Sequence, residues 1–243
     1  MRATLDDLHS FYGDRVTDVA KLDDRMRRLA AECERLAPRT VLDIGCGRGF
    51  LLQTLRARHP DVVCYGVELS HKLCEQARRN GITVFNQDLA SGVPLPDESV
   101  DVGVMGEVIE HVFDPDLCLE EVRRILKPGG ALVVTTPNLA SWYNRLLLLI
   151  GVQPVFSETS TRKKYGHWLP MFGQGVTTTQ GHLKLFTLGA LRELLCDLGF
   201  SIERVEGYKF YLIQEHPIAN VFESLFRIRP TLASGFIVTA RKR

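Results

Sequence analysis

The stretch VLDIGCGRGF, residues 41–50, decides how this chain is read. An apolar run suited to a strand passes into three alternating glycines, Gly45, Gly47 and Gly49, and then into the start of an amphipathic segment. Glycine adopts positive φ freely and lets a ligand approach the backbone without meeting a Cβ. The helix that follows offers unpaired N–H groups at its N-terminus. Nineteen residues past Gly49, at the end of the next apolar run (DVVCYGVE, 61–68), stands Glu68. A carboxylate at that distance can accept two hydrogen bonds from a ribose diol. The spacing is G-x-G-x-G rather than the G-x-G-x-x-G of dinucleotide folds, and no G-K-[ST] follows, so a dehydrogenase or a P-loop enzyme fits poorly.

Working outward, apolar and amphipathic runs alternate. TVLDI (40–44), DVVCYGVE, ITVFN (82–86), VDVGVM (100–105) and GALVVTT (130–136) read as strands. FLLQTLRARH (50–59), SHKLCEQARRN (70–80) and DPDLCLEEVRRILKPGG (114–130) read as helices, the last two opened by Ser and Asp-Pro caps. Val19, Leu22, Met26, Leu29 and Leu36 give the first forty residues a helical spacing that ends at Pro38. TLGALRELLCDLGF (187–200), SIERVEGY and SGFIVTARK (234–242) close the chain as a helix and two strands. Strand–helix alternation implies an α/β fold with a parallel sheet covered on both faces. Right-handed crossovers place the strand-to-helix loops on one edge, which then carries Gly45–Gly49, Glu68, Asp88 and Glu107.

With 243 residues, 45% of them hydrophobic, the chain has material for one sizeable domain. A net charge of +1 gives no electrostatic reason to expect nucleic acid. Six cysteines without a C-x-x-C pair read as reduced thiols and point to a cytoplasmic protein. The N-terminus has no signal-like apolar core, and the greasiest run, LLLLIGV (146–152), is too short to span a bilayer. It reads as a buried helix, with a peripheral membrane contact as the alternative. Monomer and homodimer are both open.

GEVIEHVFDP (106–115) raises the chemical question. On a helix Glu107, Glu110 and His111 would share one face. Two carboxylates and an imidazole can act as a general base or hold Mg²⁺ or another divalent cation. His182, in QGHLKLF, is a candidate fourth ligand. Arg162, Lys163, Tyr165, His167 and Trp168 are candidates to approach a substrate, or else form a solvated loop. Asn138 is a further candidate contact.

VLDIGCGRG, GVELS, NQDL, LPDESVDVGVMGEVIEHV and EEVRRILKPGGALVVTTPN occur in the order typical of class I S-adenosylmethionine-dependent methyltransferases. Over residues 38–140 the chain resembles the branch containing the ubiquinone-biosynthesis O-methyltransferases and other small-molecule methyltransferases. The resemblance implies a Rossmann-like, doubly wound, mostly parallel seven-stranded sheet with an antiparallel last strand. Around it would lie an N-terminal helical cap (1–38), a cofactor-binding core (39–137), a lid insertion (138–182) and a C-terminal part (183–243) with an insertion at 208–234. It implies S-adenosylmethionine as cofactor, with Asp43, Gly45, Cys46 and Gly47 along its methionine portion. Glu68 would take the ribose, Leu69 and Leu89 the adenine ring, and Asp88 the adenine amino group. Gly106 and Glu107 would lie beside the sulfonium, under Tyr12 from the N-terminal helices. Metal-dependent relatives use a Glu-x-x-Glu-His motif, which here matches Glu107, Glu110 and His111. The activity this implies is methylation of a small-molecule hydroxyl. RNA 2′-O-methylation and a non-catalytic, cofactor-binding regulator are the alternatives.

Overall fold

A computed structural model describes residues 24–167, 179–209 and 217–243. Tyr12 and Trp168 lie outside the described residues, as do most of the N-terminal cap and parts of both insertions.

The frame is a seven-stranded sheet in the order β3-β2-β1-β4-β5-β7-β6. Its strands are β1 (Thr40–Ile44), β2 (Val63–Glu68), β3 (Thr83–Asn86), β4 (Val100–Gly106), β5 (Leu126–Pro137), β6 (Phe200–Tyr208) and β7 (Gly235–Lys242). The first five run parallel, and β7 enters antiparallel between β5 and β6. The central strands read as near-continuous apolar runs because helices cover both faces. Burial is complete along Val133–Val134 and at Val102 and Val104.

Seven helices flank the sheet among the described residues: α1 (Asp24–Leu36), α2 (Phe50–Arg58), α3 (His71–Arg79), α4 (Pro115–Ile125), α5 (Trp142–Leu149), α6 (Leu188–Asp197) and α7 (Pro217–Phe226). The capping signals work as read. Ser70 Oγ accepts from Leu73 N–H at 3.5 Å and Asp114 Oδ1 from Leu117 N–H at 3.2 Å. One face of α4, carrying Cys118, Leu119, Val122 and Ile125, is buried against the sheet together with α6. Each such aliphatic side chain contributes about 1.5–3 kcal/mol when fully buried.

Three expectations are corrected. The helix read over 114–130 stops at Ile125; Leu126 already pairs with Val100, and the Lys127–Gly130 segment forms an irregularity in the ladder before Ala131 pairs with Val102. A Cβ on Gly130 would meet Lys127 O at 2.8 Å, so the local turn requires glycine. LLLLIGV is not a buried helix: Leu147 and Val152 are buried, whereas Leu146, Leu148, Leu149 and Ile150 are exposed. α5 lies on the outside, packing only Tyr143, Asn144 and Leu147 inward. Residues 106–111 are not α-helical either. β4 ends at Gly106, Glu107 takes φ +58°, and a single 3₁₀ turn covers Ile109–His111.

All six cysteines are free thiols, five of them buried. Among the described residues no helix is long and apolar enough to cross a membrane.

Candidate active site

The C-terminal ends of β1, β2 and β4 hold the glycine turn and its acids side by side. Gly45, Gly47 and Gly49 all have positive φ, between 54° and 75°. Gly45 and Cys46 donate their N–H groups to Val67 O at 2.8 and 3.1 Å, which folds the turn onto β2. At Gly45 an added Cβ would lie 2.5 Å from Val108 Cγ2; at Gly47 it would meet nothing within 4 Å among the described residues. Among these residues Gly47 therefore presents bare backbone. Glu68, buried at the end of β2, accepts from Gly47 N–H at 2.9 Å and from Ser70 N–H at 2.8 Å. Its carboxylate is fixed from two sides before any ligand arrives.

Asp43 is buried beneath the turn. Burial, and then the charge of Glu68, push its carboxyl up to about 7, with Arg25 of α1 opposing. Arg25 also reaches Gly106, whose added Cβ would lie 3.5 Å from the guanidinium and 3.2 Å from Leu29. α1 thus closes over the β1–β4 edge. Cys46 turns its thiol into the core instead: the sulfur lies 2.5 Å from where a Gly66 Cβ would be. Only its backbone can line the edge. Leu69 is half-buried, and Leu89 is buried in a 3₁₀ turn whose last residue, Ser91, donates its N–H to Asp88 O at 3.0 Å. Asp88 is half-buried at the same edge.

Across β4 the second half begins with Glu107. Its N–H donates to Thr135 O and Thr135 Oγ1, both at 3.1 Å. Its Oε1 accepts from Thr135 Oγ1 at 3.0 Å and from the Tyr208 hydroxyl at 2.7 Å. These contacts aim the glutamate toward β5 and the end of β6. The left-handed backbone at Glu107 and the short turn after it break the shared helical face, so Glu107 does not join the cluster that Glu110 and His111 form with His182. Donor atoms of those three lie within 4.8 Å of one another.

Glu110 is fully buried. Its Oε2 accepts from Thr136 Oγ1 at 3.0 Å, and its Oε1 has no hydrogen-bond partner among the described residues. Burial, then the neighbouring Glu107 charge, raise its carboxyl well above the usual range. The His111 and His182 rings stand 4.8 Å apart. His111 Nδ1 bonds Gly181 O at 3.1 Å, and His182 Nδ1 bonds Phe156 O at 3.0 Å. A carbonyl only accepts, so each Nδ1 carries the proton and each Nε2 the lone pair. Burial keeps both rings neutral: His111 is lowered, and His182 falls to about 4, with His111 as a further cause.

His182 is placed by a carboxylate that the sequence did not single out. Glu158 accepts from the N–H groups of Gln180, Gly181 and His182 at 2.6, 2.8 and 3.2 Å. Its own charge is met by Lys164 Nζ at 3.6 Å. Tyr208, Thr135 and Arg25 were equally unmarked. Their roles come from strand pairing and from α1.

The remaining candidates scatter. Asn138 is fully buried and spent within the chain: Nδ2 donates to Ala233 O at 2.9 Å and Oδ1 accepts from Ala140 N–H at 2.9 Å. It braces the end of β5 rather than facing an acceptor. His167 bonds Pro154 O at 3.0 Å. Arg162, Lys163 and Tyr165 project outward.

Residues 42–134 match the family described as "Methyltransferase domain". That match spans 93 of the 243 residues and includes the glycine turn, Glu68, Asp88 and the Glu107–His111 stretch. The chain is 37% identical over 112 residues to a probable S-adenosylmethionine-dependent methyltransferase of Mycolicibacterium smegmatis, covering 46% of this chain and 42% of that one. It is 33% identical over 135 residues to a ubiquinone biosynthesis O-methyltransferase of Chelativorans, covering 54% and 48%. The chain thus matches about half or less of the length of these relatives. The methyltransferase fold extends further. A solved S-adenosylmethionine-dependent methyltransferase of Thermotoga maritima, described as a possible histamine N-methyltransferase, superposes over 97% of this chain and 100% of its own. The TM-score is 0.61 at 22% identity.

Proposed function

We propose that this domain transfers a methyl group from S-adenosylmethionine to a hydroxyl of a small molecule. The observation that carries the choice of acceptor is the convergence of Glu110, His111 and His182 beside Glu107. The cofactor reading rests on the bare backbone at Gly47, the buried pair Asp43 and Glu68, and the hydroxyl-matching acceptors at the strand ends. Asp43, Gly45, Gly47 and the Cys46 backbone would hold the methionine portion. Glu68 would hold the ribose, and Leu69, Asp88 and Leu89 the adenine, with Gly106 and Glu107 near the sulfur. When bound, the cofactor supplies a methyl group already activated on a sulfonium.

The chain must then align an acceptor, exclude water and take up a proton. A neutral imidazole can accept that proton, and His111 is held in the required tautomer by Gly181. His182 and its brace Glu158 supply the other wall.

A second reading has its own support. Two lone-pair nitrogens and a carboxylate oxygen without a hydrogen-bond partner among the described residues form an electron-rich set that suits a divalent cation. Backbone carbonyls hold each Nδ1, as the outer partners of ligating histidines do. Glu110, His111 and His182 would hold the cation, which would lower the pKa of a coordinated hydroxyl. Glu107 belongs to this set only if it exchanges its Tyr208 bond for it.

Calorimetry with S-adenosylmethionine, followed by measurement of S-adenosylhomocysteine formation on hydroxylated metabolites, tests the proposal. Binding with turnover on a hydroxyl acceptor is expected. Turnover confined to amines or carbon acids would overturn the acceptor class. Binding with no turnover on any acceptor would favour a regulator. Activity unchanged by chelator, with no metal in the purified protein, would leave the imidazole base alone.

A further inference from the structure

We propose that the outer face of α5 and α7 docks this protein onto an anionic lipid bilayer. The two helices form one surface. Trp142 at the start of α5 stacks on Phe226, at 5.6 Å between ring centres, and lies 5.7 Å from Phe222. Its indole N–H donates to Glu223 at 2.7 Å, its backbone N–H to Leu232 O at 3.0 Å, and Arg145 reaches Thr231 O at 3.3 Å. Outward from this seam project Leu146, Leu149, Ile150, Val221, Leu225 and Ile228. Leu149 is 82% exposed and Ile228 76%. Large apolar side chains gathered on two adjoining helices mark a surface meant to be covered.

Charge decides what covers it. Residues 141–167 and 217–234 contain two acids, Glu158 and Glu223. Glu223 is buried, bonded by Trp142 and by Ser234 Oγ at 2.7 Å. The Glu158 side chain is 3% exposed and paired with Lys164. The charges these stretches show to solvent are therefore cationic: Arg145, Arg162, Lys163 and Arg229, with Arg227 half-buried near Asp24. Apolar side chains flanked by Arg145 and Arg229 match a headgroup layer of negative lipids over an acyl boundary. A second copy of the chain fits less well, because a twofold contact sets the same patch against itself and would oppose arginines with no exposed acid among the described residues of these stretches to meet them. The face follows β5 by five residues, so docking would hold the candidate active site close to the lipid surface.

Co-sedimentation of the full chain with vesicles tests this, using phosphatidylcholine alone and with about one third phosphatidylglycerol. Expected is binding to the anionic vesicles that weakens as salt rises, with little binding to phosphatidylcholine. Leu149→Glu together with Leu225→Glu should lower anionic-vesicle affinity by about tenfold or more, and Arg229→Gln by about fivefold. Cofactor affinity, read by calorimetry, should stay at the starting value in both variants, which separates failure here from failure of the methyl-transfer reading. No vesicle binding by the starting protein overturns the proposal. So does a dimer, seen by sedimentation, that the two glutamate substitutions dissolve while vesicle binding persists. A large fall in thermal stability on Leu149→Glu also overturns it, since the side chain would then be covered by the protein itself.

Discussion

The two halves of the candidate site are built by different means. On the β1–β2 side, the candidate ligand-facing groups are backbone amides and carboxylates within 28 residues of sequence, from Asp43 to Ser70, fixed by the glycine turn and the end of β2. On the β4–β5 side, Glu107, Glu110 and His111 come from one short stretch and His182 from another 71 residues on, and the four depend on Thr135, Thr136, Tyr208, Glu158 and two backbone carbonyls for their aim. The first half is preorganised by the chain's neighbours in sequence, the second by its neighbours in space. If so, the first should govern cofactor affinity and the second turnover.

The largest test of that division is Glu110→Ala or His111→Ala. Removing a proton acceptor or ligand should cut turnover by about 10²–10⁴-fold while cofactor affinity stays within a few-fold. Equal losses in both quantities would break the comparison. Glu68→Gln should do the reverse. It removes the charge that holds Gly47 N–H and Ser70 N–H, and should weaken cofactor binding by about 10–100-fold in calorimetry. Tyr208→Phe should lower kcat by about tenfold with a small change in KM, because Glu107 keeps Thr135 but loses its other donor. A KM effect alone would assign Tyr208 to the cofactor half.

Smaller effects separate the halves by pH. Burial holds His182 near 4 in the fold, against about 6.5 in an unfolded chain. Below about 6.5 the unfolded state takes up a proton that the folded state refuses, so stability falls as pH drops from about 6.5 toward 4. Asp43 has the opposite sign. Its carboxyl sits at about 7 when folded and near 3.8 otherwise, so its contribution to stability falls as pH rises from about 4 to 7. His182→Phe should flatten the acid limb of thermal unfolding. Asp43→Asn should raise Tm at pH 8 by roughly 2–4 °C per kcal/mol recovered while weakening cofactor binding.

This division also explains what could be read in advance. The alternation of strands and helices, the glycine turn, Glu68 and the caps at Ser70 and Asp114 are local patterns, and the structure places them as read. Glu107, Glu110 and His111 were legible as a group but not in their arrangement. The helical face assumed for them fails because Gly106 ends a strand and Glu107 turns left-handed, which no periodicity announces. The early end of the helix at Ile125 was masked by β5 beginning inside Lys-Pro-Gly-Gly, where pairing with Val100 overrides local propensity. LLLLIGV was misread because hydrophobicity alone does not say which elements reach the core. Tyr208 approaches Glu107 across 101 residues, and Glu158 reaches His182 across 24, separations at which a single sequence carries no pairing signal.

Gly235 gives one last consequence. A Cβ there would lie 2.1 Å from the Tyr208 ring, so the ring that aims Glu107 rests on a residue near the start of β7. That strand threads between β5 and β6, both already synthesised when it appears. On the ribosome, a nascent chain can shape its glycine turn early, whereas the support for the Tyr208 ring waits until β7 has emerged. A stall before β7 leaves the two halves of the site uncoupled.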